Sequence, residues 1–158
     1  MSGLSEARSL ATVAAGLFVV GALVSSPRSG AASSAPKQRS PRRVVVEMLA
    51  ISFQPKSVRV SAHETVVFHF VNNDVAPHDA FFGNADRQLD RERAVDALLS
   101  AGGDLASLQA PKVGYVLVKA KSTRDVPHTF GQPGRLLIGC HQPGHWDSGM
   151  KINVIVGP

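Results

Sequence analysis

Cysteine is nearly absent from this chain: Cys140 is the single cysteine among 158 residues. One thiol excludes an intramolecular disulfide, so the fold must be stabilised by its hydrophobic core and by any metal that it binds. The sequence also lacks a Cys-x-x-Cys-His segment, which excludes covalent haem attachment of that type. No internal repeat is present, and no basic helix with interleaved aromatic residues indicates nucleic-acid binding.

Long hydrophobic runs are missing too. The longest, residues 11–24, has fourteen residues, whereas a membrane-spanning helix needs about 20. It follows a short polar start with Arg8 and precedes small residues, a pattern typical of an export signal. We expect residues 1–35 to be a signal peptide cleaved after Ala31 or Ala35, or else an uncleaved N-terminal anchor that associates with the membrane. Export predicts a periplasmic or other extracytoplasmic location.

The next segment, residues 36–43, is predicted to be a flexible basic tether, because it is rich in Ser, Pro and Arg. Several of the cations behind the formal net charge of +5 lie in this tether. Residues 44–158 are left for the folded domain, which is long enough for a small sandwich with its own core.

Short β-branched or alternating segments separated by turn residues dominate the domain. This pattern predicts an all-β sandwich. The predicted strands cover residues 44–51, 57–60, 65–71, 78–82, 115–120, 135–140 and 151–156.

Residues 84–111 differ from the rest, because helix formers replace the alternating pattern. Leu89, Val95, Leu98 and Leu99 recur at roughly helical spacing, which predicts a helical insertion. We expect its apolar face to pack on one flank of the sandwich.

The most informative segment is Cys-His-Gln-Pro-Gly-His-Trp-Asp-Ser-Gly-Met, which begins at Cys140. It places Cys140, His145 and Met150 on one tight loop with two gaps of four residues. A thiolate, an imidazole and a thioether so close together favour copper, and a blue-copper site needs a second histidine. His78, which begins a short extended segment, is the best candidate for it.

Other interpretations of the loop are open. Cys140 could be a buried structural cysteine, or a nucleophile paired with a histidine, although no orienting residue or oxyanion motif is evident. Zinc fits less well, since methionine is not among its usual ligands. His141 is the main competing candidate for a ligand, but it directly follows Cys140 and should point to the opposite side of an extended segment. His128, His69 and His63 are expected to be structural or exposed.

Together these segments resemble the cupredoxins, the plastocyanin/azurin family of small blue copper proteins. The resemblance covers residues 44–157, and the motif Cys-x-x-Pro-Gly-His-x-x-x-Gly-Met is its most specific element. The gaps in the loop are similar to those of rusticyanin and the periplasmic copper-tolerance cupredoxins. The resemblance implies a Greek-key β-sandwich and one type 1 copper bound by His78, Cys140, His145 and the long axial ligand Met150.

The resemblance further implies a one-electron carrier rather than an enzyme. A copper-tolerance protein that sequesters or delivers copper is the alternative. We expect a monomer whose redox protein partners dock near His145 and Trp146. One departure from the family is Asp79, which follows the first histidine where many members carry Asn or Ser.

Overall fold

The β-branched and aromatic residues over 65–71 form strand β4, Thr65–Asn72, in the computed structural model, which describes residues 40–158. Every second side chain of β4 is buried, as expected for a strand with one face on a core. Phe68 and Phe70 lie on this inner face and are fully buried.

The described residues form two sheets that face each other. Besides β4, the strands are β1 Arg42–Leu49, β2 Ser52–Gln54, β3 Ser57–Ser61, β5 His78–Gly83, β6 Tyr115–Val118, β7 Ser122–Thr129, β8 Gly134–Gly139 and β9 Lys151–Gly157. One sheet has the order β2-β1-β4-β7 and the other the order β3-β9-β8-β5-β6. The pairs β1–β4 and β3–β9 are parallel, and the other paired strands are antiparallel. The predicted β-sandwich is confirmed.

A cluster of phenylalanines holds the two sheets together. The ring of Phe68 in β4 meets the ring of Phe82 in β5 edge-on, with 5.3 Å between centroids. Phe70 and Phe130 extend the cluster, with centroid distances of 6.3 Å to Phe82 and 6.1 Å to Phe68. Such tilted contacts add to the free energy gained by burying the rings.

Strand β7 was not predicted from the sequence. Its residues, Ser-Thr-Arg-Asp-Val-Pro-His-Thr, are mostly polar and include Pro127. It lies at the edge of its sheet, where proline is tolerated and one row of backbone groups faces solvent. Pairing with β4 therefore forms a strand that its own composition does not indicate.

The first strand begins at Arg42, two residues before the predicted domain start at residue 44, so it includes the last two residues of the predicted tether 36–43. Arg42 and Arg43 pair in register with Val66 and Val67 of β4. The Arg42 guanidinium also donates to the Glu64 carboxylate at 2.8 Å, and this bond lowers the pKa of Glu64.

The predicted helical insertion over 84–111 contains helix α1, Ala85–Ser100, and a 3-10 turn, Leu105–Ser107. Asn84 caps α1, because its side chain accepts a hydrogen bond from the Arg87 backbone N–H. The expected apolar packing face is wrong, because Leu89 and Leu99 are exposed. The buried helix residues are Gln88, Arg91, Glu92 and Val95.

The predicted export signal or anchor, residues 1–35, lies outside the described residues. Within residues 40–158, no helix is long and apolar enough to cross a membrane.

Replacing Phe68 by alanine should lower the free energy of unfolding by about 3–5 kcal/mol, because it opens a cavity where the two sheets meet. Chemical denaturation of the metal-free protein measures this, since a bound metal would add its own stabilisation. Val45→Ala is the control: Val45 is 52% exposed, and the change should stay within about 0.5 kcal/mol. Equal effects of the two substitutions would contradict the assignment of Phe68 to the core.

Candidate metal centre

The loop after strand β8 closes on itself through backbone hydrogen bonds. The N–H of Cys140 donates to the carbonyl of Met150 at 3.0 Å, and the N–H of Met150 donates to the carbonyl of His145 at 2.9 Å. Gly144 and Gly149 have φ angles of 76° and 82°, which side chains other than glycine rarely adopt. These bonds and turns bring the first, sixth and last residues of the loop together.

His78 reaches the same place from the start of strand β5. It pairs with Val118 of β6, and β5 lies next to β8, the strand that leads to Cys140. Because neighbouring antiparallel strands place residues side by side, the histidine at the beginning of β5 lies near the cysteine at the end of β8.

Three donor atoms converge there. Cys140 Sγ lies 3.5 Å from His145 Nδ1 and 3.9 Å from His78 Nδ1, and one donor atom from each of the three residues lies within 4.8 Å of the other two. Metal bonds of about 2.0–2.3 Å in a trigonal plane require donor separations of roughly 3.5–4 Å. The spacing therefore fits one metal ion among a thiolate and two imidazoles. Within residues 40–158 no other group of three His, Cys, Asp or Glu side chains comes this close.

Met150 lies beside this cluster. Its side chain is fully buried and belongs to the same buried hydrophobic group as Cys140. A thioether next to a Cys-His-His set completes the donor chemistry of a blue-copper site, which zinc sites do not use.

Burial shapes the protonation of the donors. It raises the pKa of the Cys140 thiol and lowers the pKa of His145. Both shifts favour the neutral form of the side chain. The thiol is therefore protonated in the metal-free protein, and metal binding must displace its proton.

Asp74 orients the ring of His78. His78 Nε2 lies 3.2 Å from Asp74 Oδ2, which leaves Nδ1 to face Cys140. The pKa of Asp74 is lowered, first by the backbone N–H of Val75 and then by His78. The Asn72 side chain fixes this turn, because it accepts from the Asp74 N–H and donates to the carbonyls of Ala76 and Val118. A carboxylate on the second nitrogen fixes a metal-binding histidine and makes it more basic.

Asp79 connects the two segments that carry the donors. Its Oδ1 accepts a hydrogen bond of 2.7 Å from the backbone N–H of His141. Asp79 follows His78, and His141 follows Cys140, so the bond spans residues adjacent to two candidate ligands. Desolvation raises the pKa of Asp79. The aspartate therefore makes the connection although many cupredoxins carry Asn or Ser there.

The other histidines lie away from the cluster. His141 is fully buried and its ring bonds to Gln88 and Glu92 of helix α1, on the side away from Cys140, as expected. Burial raises the pKa of Glu92 and lowers that of His141, so the neutral forms of both are favoured.

The remaining three histidines have structural or surface positions. His128 stacks on Phe82 at 4.7 Å, His69 bonds to Asp125 at 2.7 Å, and His63 occupies a turn with φ 62°.

Trp146 is 8% exposed and packs inside the loop. Its ring stacks on the ring of His141, with 5.0 Å between centroids and 16° between planes, and Lys151 Nζ lies 4.0 Å from its centroid. His145, by contrast, is half-buried and lies beside exposed Pro143 and Gly144.

Sequence reasoning missed Asp74, Gln88 and Glu92. A carboxylate four residues before a candidate histidine ligand could have indicated Asp74. Gln88 and Glu92 are four positions apart and so share one helix face, but only the fold shows that this face contacts His141.

Comparison with known proteins agrees with this geometry. Residues 42–157 match the family model described as copper binding proteins, plastocyanin/azurin family. The copper-resistant cuproprotein CopI of Pseudomonas aeruginosa is 25% identical over 173 aligned residues, covering 91% of this chain and 96% of CopI.

Two solved structures share the fold. Auracyanin B superposes with a TM-score of 0.62 at 24% identity, covering 76% of this chain and 92% of its own. Auracyanin A, a blue copper protein from Chloroflexus aurantiacus, gives a TM-score of 0.58 at 25% identity and covers 75% of this chain and all of its own. The family model spans most of the chain and the donor set suits its metal, so this chain belongs to the plastocyanin/azurin family of copper-binding proteins.

Proposed function

We propose that this protein is an exported one-electron carrier with a single type 1 copper ion held by His78, Cys140, His145 and Met150. Bound copper supplies the chemistry by alternating between Cu(I) and Cu(II). The observation that carries the proposal is the convergence of one Sγ and two Nδ1 atoms at trigonal spacing. The chain's own residues provide the rest: they position the donors, exclude water and offer a route to the surface.

The route to the surface runs through His145. His78, Cys140 and Met150 are fully buried, whereas His145 is half-buried and adjoins exposed Pro143 and Gly144. Electron transfer weakens with distance, so a partner should dock where the centre comes nearest to solvent. We therefore place the docking surface at residues 143–145, and Trp146 supports this surface from beneath rather than forming part of it.

A second candidate function is copper tolerance, in which the protein sequesters or delivers copper. The observation in its favour is the similarity to CopI, a copper-resistant cuproprotein, over 91% of this chain. Both functions use the same donors and differ in whether the metal stays or leaves.

The proposed location is extracytoplasmic. It is supported by the export-type pattern of residues 1–35, with its apolar run over 11–24. Cleavage or retention of this segment decides between a free and a membrane-anchored protein.

Cys140→Ser should abolish the intense visible charge-transfer band of the copper-bound protein, because the band needs a copper–thiolate bond and no other cysteine exists. His78→Ala and His145→Ala should each shift or lose the band, and His69→Ala should leave it unchanged, since His69 bonds to Asp125 on a different sheet. Absorption and paramagnetic resonance spectra of the four variants measure this. Colour retained in Cys140→Ser would refute the proposed site.

An electron carrier should keep its copper through repeated reduction and reoxidation. We expect reversible voltammetry and an unchanged copper content after each cycle, measured in the presence of a moderate Cu(I) chelator. Rapid loss of Cu(I) to the chelator with each reduction would instead support copper delivery. His69→Ala leaves the donors intact and is the matched control, because copper that it loses during the cycles is lost through handling rather than through release from an altered site.

Asp74→Asn should raise the reduction potential by on the order of tens of millivolts, because a negative charge beside His78 favours Cu(II) over Cu(I). Asparagine keeps the side-chain oxygen that accepts from the Val75 N–H. Asp90→Asn removes an equal charge from the exposed side of helix α1 and should change the potential much less. Voltammetry of both variants decides, and equal potentials would show that Asp74 does not influence the metal.

A further inference from the structure

Helix α1 packs on the sandwich through polar side chains. Gln88 is fully buried, Arg91 and Glu92 are nearly so, and Val95 is the one apolar residue that the helix buries, while Leu89 and Leu99 face solvent. Burying polar groups is unfavourable unless each finds a hydrogen-bond partner. Gln88 and Glu92 find their partner in His141, which follows the candidate ligand Cys140, whereas Arg91 donates to the carbonyl of Gln109 within the insertion.

Gln88 has a defined role, because its amide nitrogen is fully used. Nε2 donates to the carbonyl of Phe81 in β5 at 2.7 Å and to that of Leu137 in β8 at 3.0 Å. Its Oε1 lies 2.7 Å from His141 Nε2 and so must accept the ring N–H. Gln88 thus connects two neighbouring strands with the ring of His141.

Glu92 contacts the other ring nitrogen. Its Oε2 lies 2.6 Å from His141 Nδ1. The faces of the ring are covered as well: Trp146 stacks on it at 5.0 Å, and Phe81 meets it edge-on at 5.9 Å. Both nitrogens and the ring faces of His141 therefore have fixed neighbours.

Gly139, the residue before Cys140, leaves space for Gln88 and Trp146 because it has no side chain. A methyl group on Gly139 would lie 2.6 Å from Gln88 Oε1 and 2.7 Å from a ring carbon of Trp146. Both distances are too short for real contacts, so the absence of a side chain at Gly139 lets the helix and the tryptophan close on His141.

We propose that Gln88 and Glu92 of helix α1 are positioning residues for the copper centre: they fix His141, and through it Cys140 and the Asp79 connection to His78. The helical insertion thereby controls how firmly the ligand loop holds copper. This inference rests on the proposed copper function, but the placement of His141 can be tested in the metal-free protein.

Glu92→Ala is the primary variant, and Glu92→Gln, which keeps a hydrogen-bonding partner for His141 Nδ1, is the conservative rescue. Asp90→Ala is the matched control, because it also replaces an acid of helix α1 but changes only an exposed ion pair with Arg93. Gly139→Ala disturbs the same arrangement from the strand side.

In the metal-free protein, hydrogen exchange of the backbone amides of Cys140 and His141 should be about 10-fold faster in Glu92→Ala and Gly139→Ala than in Asp90→Ala. Amides of the central strand β4 should be unchanged. In the copper-bound protein, affinity for copper should fall about 10- to 100-fold in the same two variants and recover in Glu92→Gln.

The proposal would be overturned if Glu92→Ala and Gly139→Ala showed the same amide exchange rates and the same copper affinity as Asp90→Ala. Faster exchange spread evenly over all strands would overturn it too, because it would show general destabilisation. If Glu92→Ala does not fold, Gly139→Ala decides by the same two measurements. If the unsubstituted protein takes up no copper, the proposed function fails, and the exchange rates still decide whether helix α1 positions the loop.

Discussion

The hydrogen bond from the His141 backbone N–H to the Asp79 carboxylate is the connection on which the metal centre depends. Strands β5 and β8 pair only as far as Phe81 and Gly139. No further pair of these two strands follows it in register, and the Asp79 side chain accepts the His141 N–H in place of a backbone carbonyl. This bond connects the two segments that carry His78 and Cys140.

Holding polar donors in a protein interior is costly, and the surrounding structure offsets this cost with hydrogen bonds. Asp79 Oδ2 is an exception, because it has no hydrogen-bond partner among the described residues, and desolvation raises the pKa of Asp79. Helix α1 contributes Gln88 and Glu92, so it brings hydrogen-bonding partners where an apolar helix would leave His141 unsatisfied. This explains why the helix exposes leucines and buries polar residues, the reverse of a usual surface helix.

Features encoded within a short stretch of sequence could be predicted. The loop from Cys140 to Met150 has its donors at fixed spacing, and local turns bring them together, while the β-branched and aromatic residues over 65–71 were sufficient to predict strand β4. Features that depend on distant partners could not. Strand β7 forms because β4 pairs with it, and Trp146 is buried because His141 lies beneath it. The spacing of apolar residues predicted that α1 is a helix. The face that it buries depends on contacts with His141, which is distant in the sequence.

Hydrogen bonds within the protein hold the donor segments in place, and this bears on how the site would treat its metal. Backbone bonds of Cys140 and Met150 tie the two ends of the loop to each other, and His78 is held by Asp74. Because none of these bonds involves the metal, they favour the same donor geometry in both oxidation states, and electron transfer then requires little rearrangement. Release of copper would require a donor to move away, and each donor segment is tied to at least one other. These hydrogen bonds between the donor segments therefore favour electron transfer over delivery of the metal.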